Sequence, residues 1–208
     1  QYGITRTESG QVLYNTNSDL LRGDRVDALA LARHPFLDHG PLVNAGLVAT
    51  QAVHPVHVTP GVNRAYRDGW LKDGRLQRAD AACSPHVARG DAIPTESVGD
   101  VFVCEPAGNL VVQLQLEPEA RAGFGLQAQR VHPNREVLAS TDERFRPVGL
   151  CDGPDGALYI VDMHRGVLQH KNFVTSFLRK QVVERKLEQP LNTGRIWRMS
   201  ADKSGGRM

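Results

Sequence analysis

Cysteine is scarce in this chain, and the scarcity excludes several chemistries. Cys83, Cys104 and Cys151 never form a C-x-x-C pair, so no structural zinc site is spelled out. Nor is there a C-x-x-C-H, so covalent haem of the c type is not expected in this chain. No apolar run approaches the ~20 residues that cross a bilayer as a helix. A charged-then-apolar leader is also missing, and Gln1 in first place points to a processed or truncated chain. Charge of one sign does not dominate either: 25 basic residues face 23 acidic ones, for a net charge of +2. That balance gives no footing for nucleic-acid binding or for electrostatic docking on a membrane. What remains is an ordinary globular composition, 40% hydrophobic and 23% charged over 208 residues, enough to bury a core.

One pattern recurs. Gly10-Gln-Val-Leu-Tyr14, Gly99-Asp-Val-Phe-Val103 and Gly156-Ala-Leu-Tyr-Ile160 each set a glycine turn and one variable residue before three strand-forming residues. An apolar residue follows eleven positions after each glycine, at Leu21, Leu110 and Val167, and the last two units carry an acid six positions on, Glu105 and Asp162. The stretch from Phe145 to His170 reads as strand, Pro-Asp-Gly turn, strand, a second turn at His164-Arg165-Gly166, and a third strand. Such a meander is the unit of a β-propeller blade. The expected fold is therefore all-β, a partial propeller of about three blade-like units spanning residues 1–199. Residues 34–90, rich in proline, read as a loop-rich insertion. A helix is expected near 173–186, capped by Asn172 and carrying Val174, Phe177, Leu178 and Val182 as its apolar stripe. Gly194 to Met199 reads as a closing strand, and residues 200–208 as a disordered tail. Three such units do not close a ring, since propellers typically hold four to eight. The missing blades, or another polypeptide, are expected to pair the open edges.

Several segments together resemble one family: Tyr14 to Gly23, Thr59 to Tyr66, Arg89-Gly-Asp91, Val103 to Val111, Ala139 to Pro147 and Asp162 to His170. They look like the C-terminal half of the propeller in large bacterial proteins described as membrane-bound dehydrogenases, distant relatives of the soluble glucose/sorbosone dehydrogenases. The resemblance covers about Gly10 to Met199. It implies a six-bladed, exported, periplasmic protein, membrane-associated through a partner, with a cytochrome c domain or subunit as electron acceptor. It also implies oxidation of a sugar or alcohol with pyrroloquinoline quinone (PQQ) and calcium.

On that expectation, His170 and Asp162 are the candidate catalytic residues, with His164 nearby, because alcohol oxidation needs a base near neutral pH. Arg64, Arg146 and Arg165 are the candidate cofactor-binding residues, since guanidinium groups pair bidentately with carboxylates. Glu105 and Asn109, around a Pro-Ala-Gly turn, are the candidate calcium ligands. The competing structural reading has Asp162 capping its turn and pairing with Arg165, Asn109 stabilising its turn, and Arg144 solvated. His34, His39, His54 and His57 lack an acidic or cysteine partner at metal-ligand spacing. Cys83 and Cys104 flank about twenty residues and either pair in an oxidising compartment or leave Cys104 as a small buried apolar group, while Cys151 reads as buried and unpaired. The rival function is non-catalytic: a propeller-type scaffold or docking subunit of a larger complex.

Overall fold

The structure, a computed structural model, describes residues 2–34, 36, 40, 42–58, 69–73, 75–118 and 125–201. It is mostly antiparallel β-sheet with few helices, as the turn and strand patterns require. Strands β1 (Ile4–Arg6), β2 (Val12–Thr16) and β3 (Asp19–Gly23) run up and down, and after the one-turn helix α1 (Ala28–Leu31) β4 (Ala45–Gly46) completes a first sheet in chain order. A small hairpin of β5 (Leu71–Lys72) and β6 (Arg75–Leu76) follows. The second sheet is the meander β7 (Cys83–Val87), β8 (Val101–Glu105), β9 (Leu110–Pro118) and β10 (Leu126–Arg130). Strand β11 (Leu138–Ala139) pairs with the start of β9. The third sheet joins β12 (Pro147–Asp152) to β13 (Leu158–Asp162), and then, past helix α2 (Ser176–Glu184), to β14 (Arg195–Met199).

The three repeated glycines occupy one structural position. Gly10, Gly99 and Gly156 precede β2, β8 and β13, and their φ angles are +84°, +90° and +74°. L side chains rarely adopt that left-handed backbone, so the repeat marks where each sheet turns from its first strand into its second. At Gly156 the turn also presses against the second sheet: its carbonyl accepts from the Ala92 N–H at 3.0 Å, and a Cβ on Gly90 would land on that same oxygen. Gly90→Ala is therefore expected to cost about 1–3 kcal/mol, as overpacking does, read as a lower urea midpoint at unchanged slope.

The second sheet lies between the other two, which is why β8 is buried along its whole length. Strand alternation divides its side chains. Val101 and Val103 join Leu13, Leu20, Leu21 and Leu114 in a core against the first sheet, while Phe102 joins Ala88, Leu158 and Ile160 in a core against the third. The first strands meet: β7 contacts β1 and β2 on one side and β12 on the other.

Three expectations change. After His164-Arg165-Gly166 the chain does not form a strand. It enters a 3₁₀ turn at Lys171–Phe173 and helix α2, and the third strand is β14. Val167 packs with Val174, Leu178, Val182 and Leu187 instead, an apolar cluster that needs the helix more than a strand edge. Helix α2 starts at Ser176, because the Thr175 hydroxyl accepts from the Leu178 N–H at 3.1 Å and caps it. Cys151 is exposed, not buried, because the alternation of β12 turns it away from the second sheet. Within 34–90 the chain supplies β4 and β7 to the first two meanders. The end of the chain past Ala201, and the segment holding Arg64, lie outside the described residues.

Candidate functional site

Strand β13 delivers Asp162 into a closed polar cluster. Its side chain is wholly buried and accepts four hydrogen bonds. Oδ1 takes the N–H groups of Arg146 (2.7 Å) and His164 (2.8 Å), and Oδ2 takes Arg195 Nε (2.9 Å) and Trp197 Nε1 (3.1 Å). The expected turn cap is therefore present, but the guanidinium partner is Arg195 and not Arg165. The Arg195 guanidinium lies 5.0 Å from the Trp197 ring centre, and its Nη2 reaches Asp142 at 2.9 Å. Burial acts to raise the Asp142 carboxyl, but the Arg144 N–H and Arg195 outweigh it and hold it below its usual value.

Arg146, at the mouth of β12, is buried at 3% exposure and donates to three main-chain carbonyls. Nε reaches Arg165 O (3.0 Å), Nη1 reaches Pro106 O (2.6 Å) and Nη2 reaches Gly166 O (3.0 Å). Desolvation pulls its pKa down to about 10. Asn109, with φ +56°, directs Nδ2 to Phe145 O at 2.6 Å. Glu105 ends β8 with no exposed surface and receives the Ala81 N–H at 3.0 Å. Burial pushes its carboxyl up to about 8. Glu105 and Asp162, the acids that share a place in the repeat, thus close their strands as buried acceptors.

The remaining candidates lie outside this cluster. His170 is exposed; its Nδ1 accepts from the Asn172 N–H (3.3 Å) and its ring meets Phe173 edge-on. It shares no hydrogen bond with Asp162. Arg144 is bound to the far end of α2 through Lys186 O and Gln189 O, each at 2.8 Å. Arg165 contributes its carbonyl to Arg146 while its side chain lines a cleft of about 400 Å³ against α2. Lys171 and Arg179 line the same cleft with Val167, Val182, Leu187 and the acid Glu188. Among the described residues, the side chains of these three cations have no hydrogen-bond or ion-pair partner.

The buried candidates do not fit the implied cofactors. A quinone carboxylate would have to displace three internal carbonyls from Arg146, and a cation at Glu105 would have to compete with the Ala81 N–H and deprotonate a desolvated acid. Asn109 is held by its amide nitrogen, which donates to Phe145 O. Among the described residues no group of three or more His, Cys, Asp or Glu side chains is gathered for a metal. Arg165, by contrast, is free to meet an anion. Sequence reasoning missed Arg195 and Trp197 as partners of Asp162; the alternation of β14 carries the signal, since Arg195, Trp197 and Met199 must share one face. Lys171 and Arg179 have no such signal, because the 3₁₀ turn and α2 bring them to the cleft that Arg165 lines.

By fold the chain is thus an antiparallel β protein of successive meanders with a polar clasp between sheets. It belongs to the family described as a domain of unknown function, DUF7133, whose model matches residues 1–203. No curated protein and no solved structure matches it.

Proposed function

We propose that this chain is a sector of a β-propeller that serves as a docking scaffold in a larger assembly. One observation carries the reading: Arg146, Asp162, Glu105 and Asn109, the polar residues nearest a catalytic constellation, are buried and engaged in bonds that hold the chain together. Such groups define geometry and are shielded from substrate. The three meanders and their adjoining first strands support the propeller arrangement. The terminal sheet supports the docking role, since Val161, Met163 and Ile196 remain 42%, 39% and 70% exposed on the face away from the second sheet. Further blades, or a partner polypeptide, would cover that face.

A second reading rests on the basic cleft. Arg165, Lys171 and Arg179 beside an apolar wall suit a planar anion, and the dehydrogenase resemblance makes PQQ the first candidate. Bound there, the quinone would accept two electrons from a sugar or alcohol in an exported enzyme and pass them to a cytochrome. Arg165 would hold a carboxylate, and Val167, Val182 and Leu187 would exclude water from one ring face.

Calorimetric titration of the folded chain with PQQ, with and without calcium, separates the readings. The scaffold reading expects no binding heat. Micromolar binding that is lost at least tenfold in Arg165→Ala would replace it with the dehydrogenase reading. Arg165→Ala is expected to change stability by less than about 0.5 kcal/mol, so a lost signal would not report unfolding.

A further inference from the structure

Cys83 and Cys104 are brought face to face by a defect in the second sheet. The register of β7 on β8 pairs Val87 with Val101 and His86 with Phe102. Continued without interruption, it would set Ser84 opposite Cys104. A bulge slips the pairing by one residue, with Ser84 at φ +49°, and places Cys83 opposite Cys104. Directly opposed residues on antiparallel strands have Cα atoms about 4.5–5.5 Å apart, inside the span that a disulfide bridges. The displaced Ser84 is used elsewhere: its hydroxyl accepts from the Leu150 N–H at 3.2 Å, tying the bulge to β12.

We infer that Cys83 and Cys104 form a cross-strand disulfide when this chain meets a thiol oxidant of the small-molecule disulfide class. The two sulfurs differ in access, and this orders the steps. Cys83 is partly exposed and Cys104 is fully buried. The Cys83 thiolate attacks the oxidant's S–S bond and expels one thiolate, leaving a mixed disulfide on Cys83. The Cys104 thiolate then attacks the Cys83 sulfur and expels the second. Two protons leave the cysteines, two electrons reach the oxidant, and one S–S bond replaces another. Desolvation holds the Cys104 thiol well above its ordinary pKa, so the second step is slow in the folded chain and faster during folding. The bond would fix the strand that touches both neighbouring sheets. Cys151, exposed on β12, stands apart from the pair.

The test uses the whole chain carrying Cys151→Ser, refolded from the reduced, denatured state in a glutathione redox buffer and, separately, exposed to glutathione disulfide while folded. Alkylation of free thiols and tryptic mapping without reductant follow. The expected result is an intact mass about 2 Da lower, no alkylation, and a cross-link joining peptide 79–89 to peptide 90–121. The oxidised protein should also melt higher than its reduced form, a difference absent in Cys83→Ser. Two alkylated thiols after refolding, or only glutathione adducts on Cys83, would overturn the inference.

Discussion

Asp162→Ala is expected to remove about 3–5 kcal/mol of unfolding free energy, the usual cost of deleting one member of a buried charged pair. The carboxylate takes four donors, and two of them, the N–H groups of Arg146 and His164, are main-chain groups that lose this acceptor once it is gone. Arg195 relaxes toward Asp142 and solvent, so the loss concentrates on the backbone of the two turns and on the seam between β13 and β14. Asp162→Asn keeps the shape and one acceptor but points an amide N–H₂ at donors, and should fall between wild type and alanine. Urea unfolding gives the answer: a lower midpoint at the same slope. A wild-type midpoint for Asp162→Ala would instead leave the carboxylate free for chemistry, contrary to the clasp described above.

Stability of this chain is expected to fall as pH rises from about 4.5 to 8, and Glu105→Gln should make that decline shallower, leaving what the likewise raised Glu136 and Asp100 carboxyls add. The sign follows from proton counting. Burial raises the Glu105 pKa to about 8 in the folded chain, well above its ordinary value of 4.5. Between those values the folded state holds a proton that the unfolded state has released, so each pH step favours unfolding. The contribution is fully present below pH 4.5, is lost progressively up to about 8, and is flat beyond. At about 1.4 kcal/mol per pKa unit, the full swing is several kcal/mol. Urea unfolding at pH 5, 7 and 9 for both proteins isolates the effect, because every other titrating group is common to them. Parallel profiles would mean that Glu105 stays ionised when folded, neutralised by the nearby Arg146 guanidinium.

The two variants also bear on function. Glu105 and Asp162 occupy the same place in their repeats, and both are acceptors inside the protein. A stability loss in Asp162→Ala and a flatter pH profile in Glu105→Gln, with no cofactor bound, are what a clasped scaffold predicts. A calcium-binding or catalytic pair would show stability nearly intact and ligand binding changed.

The sequence by itself determined the meanders. Gly10, Gly99 and Gly156 stand where only a residue without a Cβ turns cheaply, and the alternating residues after them are buried as a strand face must be. These are local constraints, readable from neighbours in the chain. The partner of each polar side chain was not local. Asp162 finds Arg195 thirty-three residues on, Asn109 finds Phe145 thirty-six residues on, and Arg146 reaches Pro106 forty residues back. The same holds for the single-residue slip that sets Cys83, and not Ser84, against Cys104. Whether an arginine or acid meets a ligand or the protein's own backbone depends on what tertiary packing leaves beside it, because a buried polar group takes whichever partner removes its desolvation cost. Only the tertiary structure could turn the candidate site into a clasp, and it left Arg165 facing the cleft.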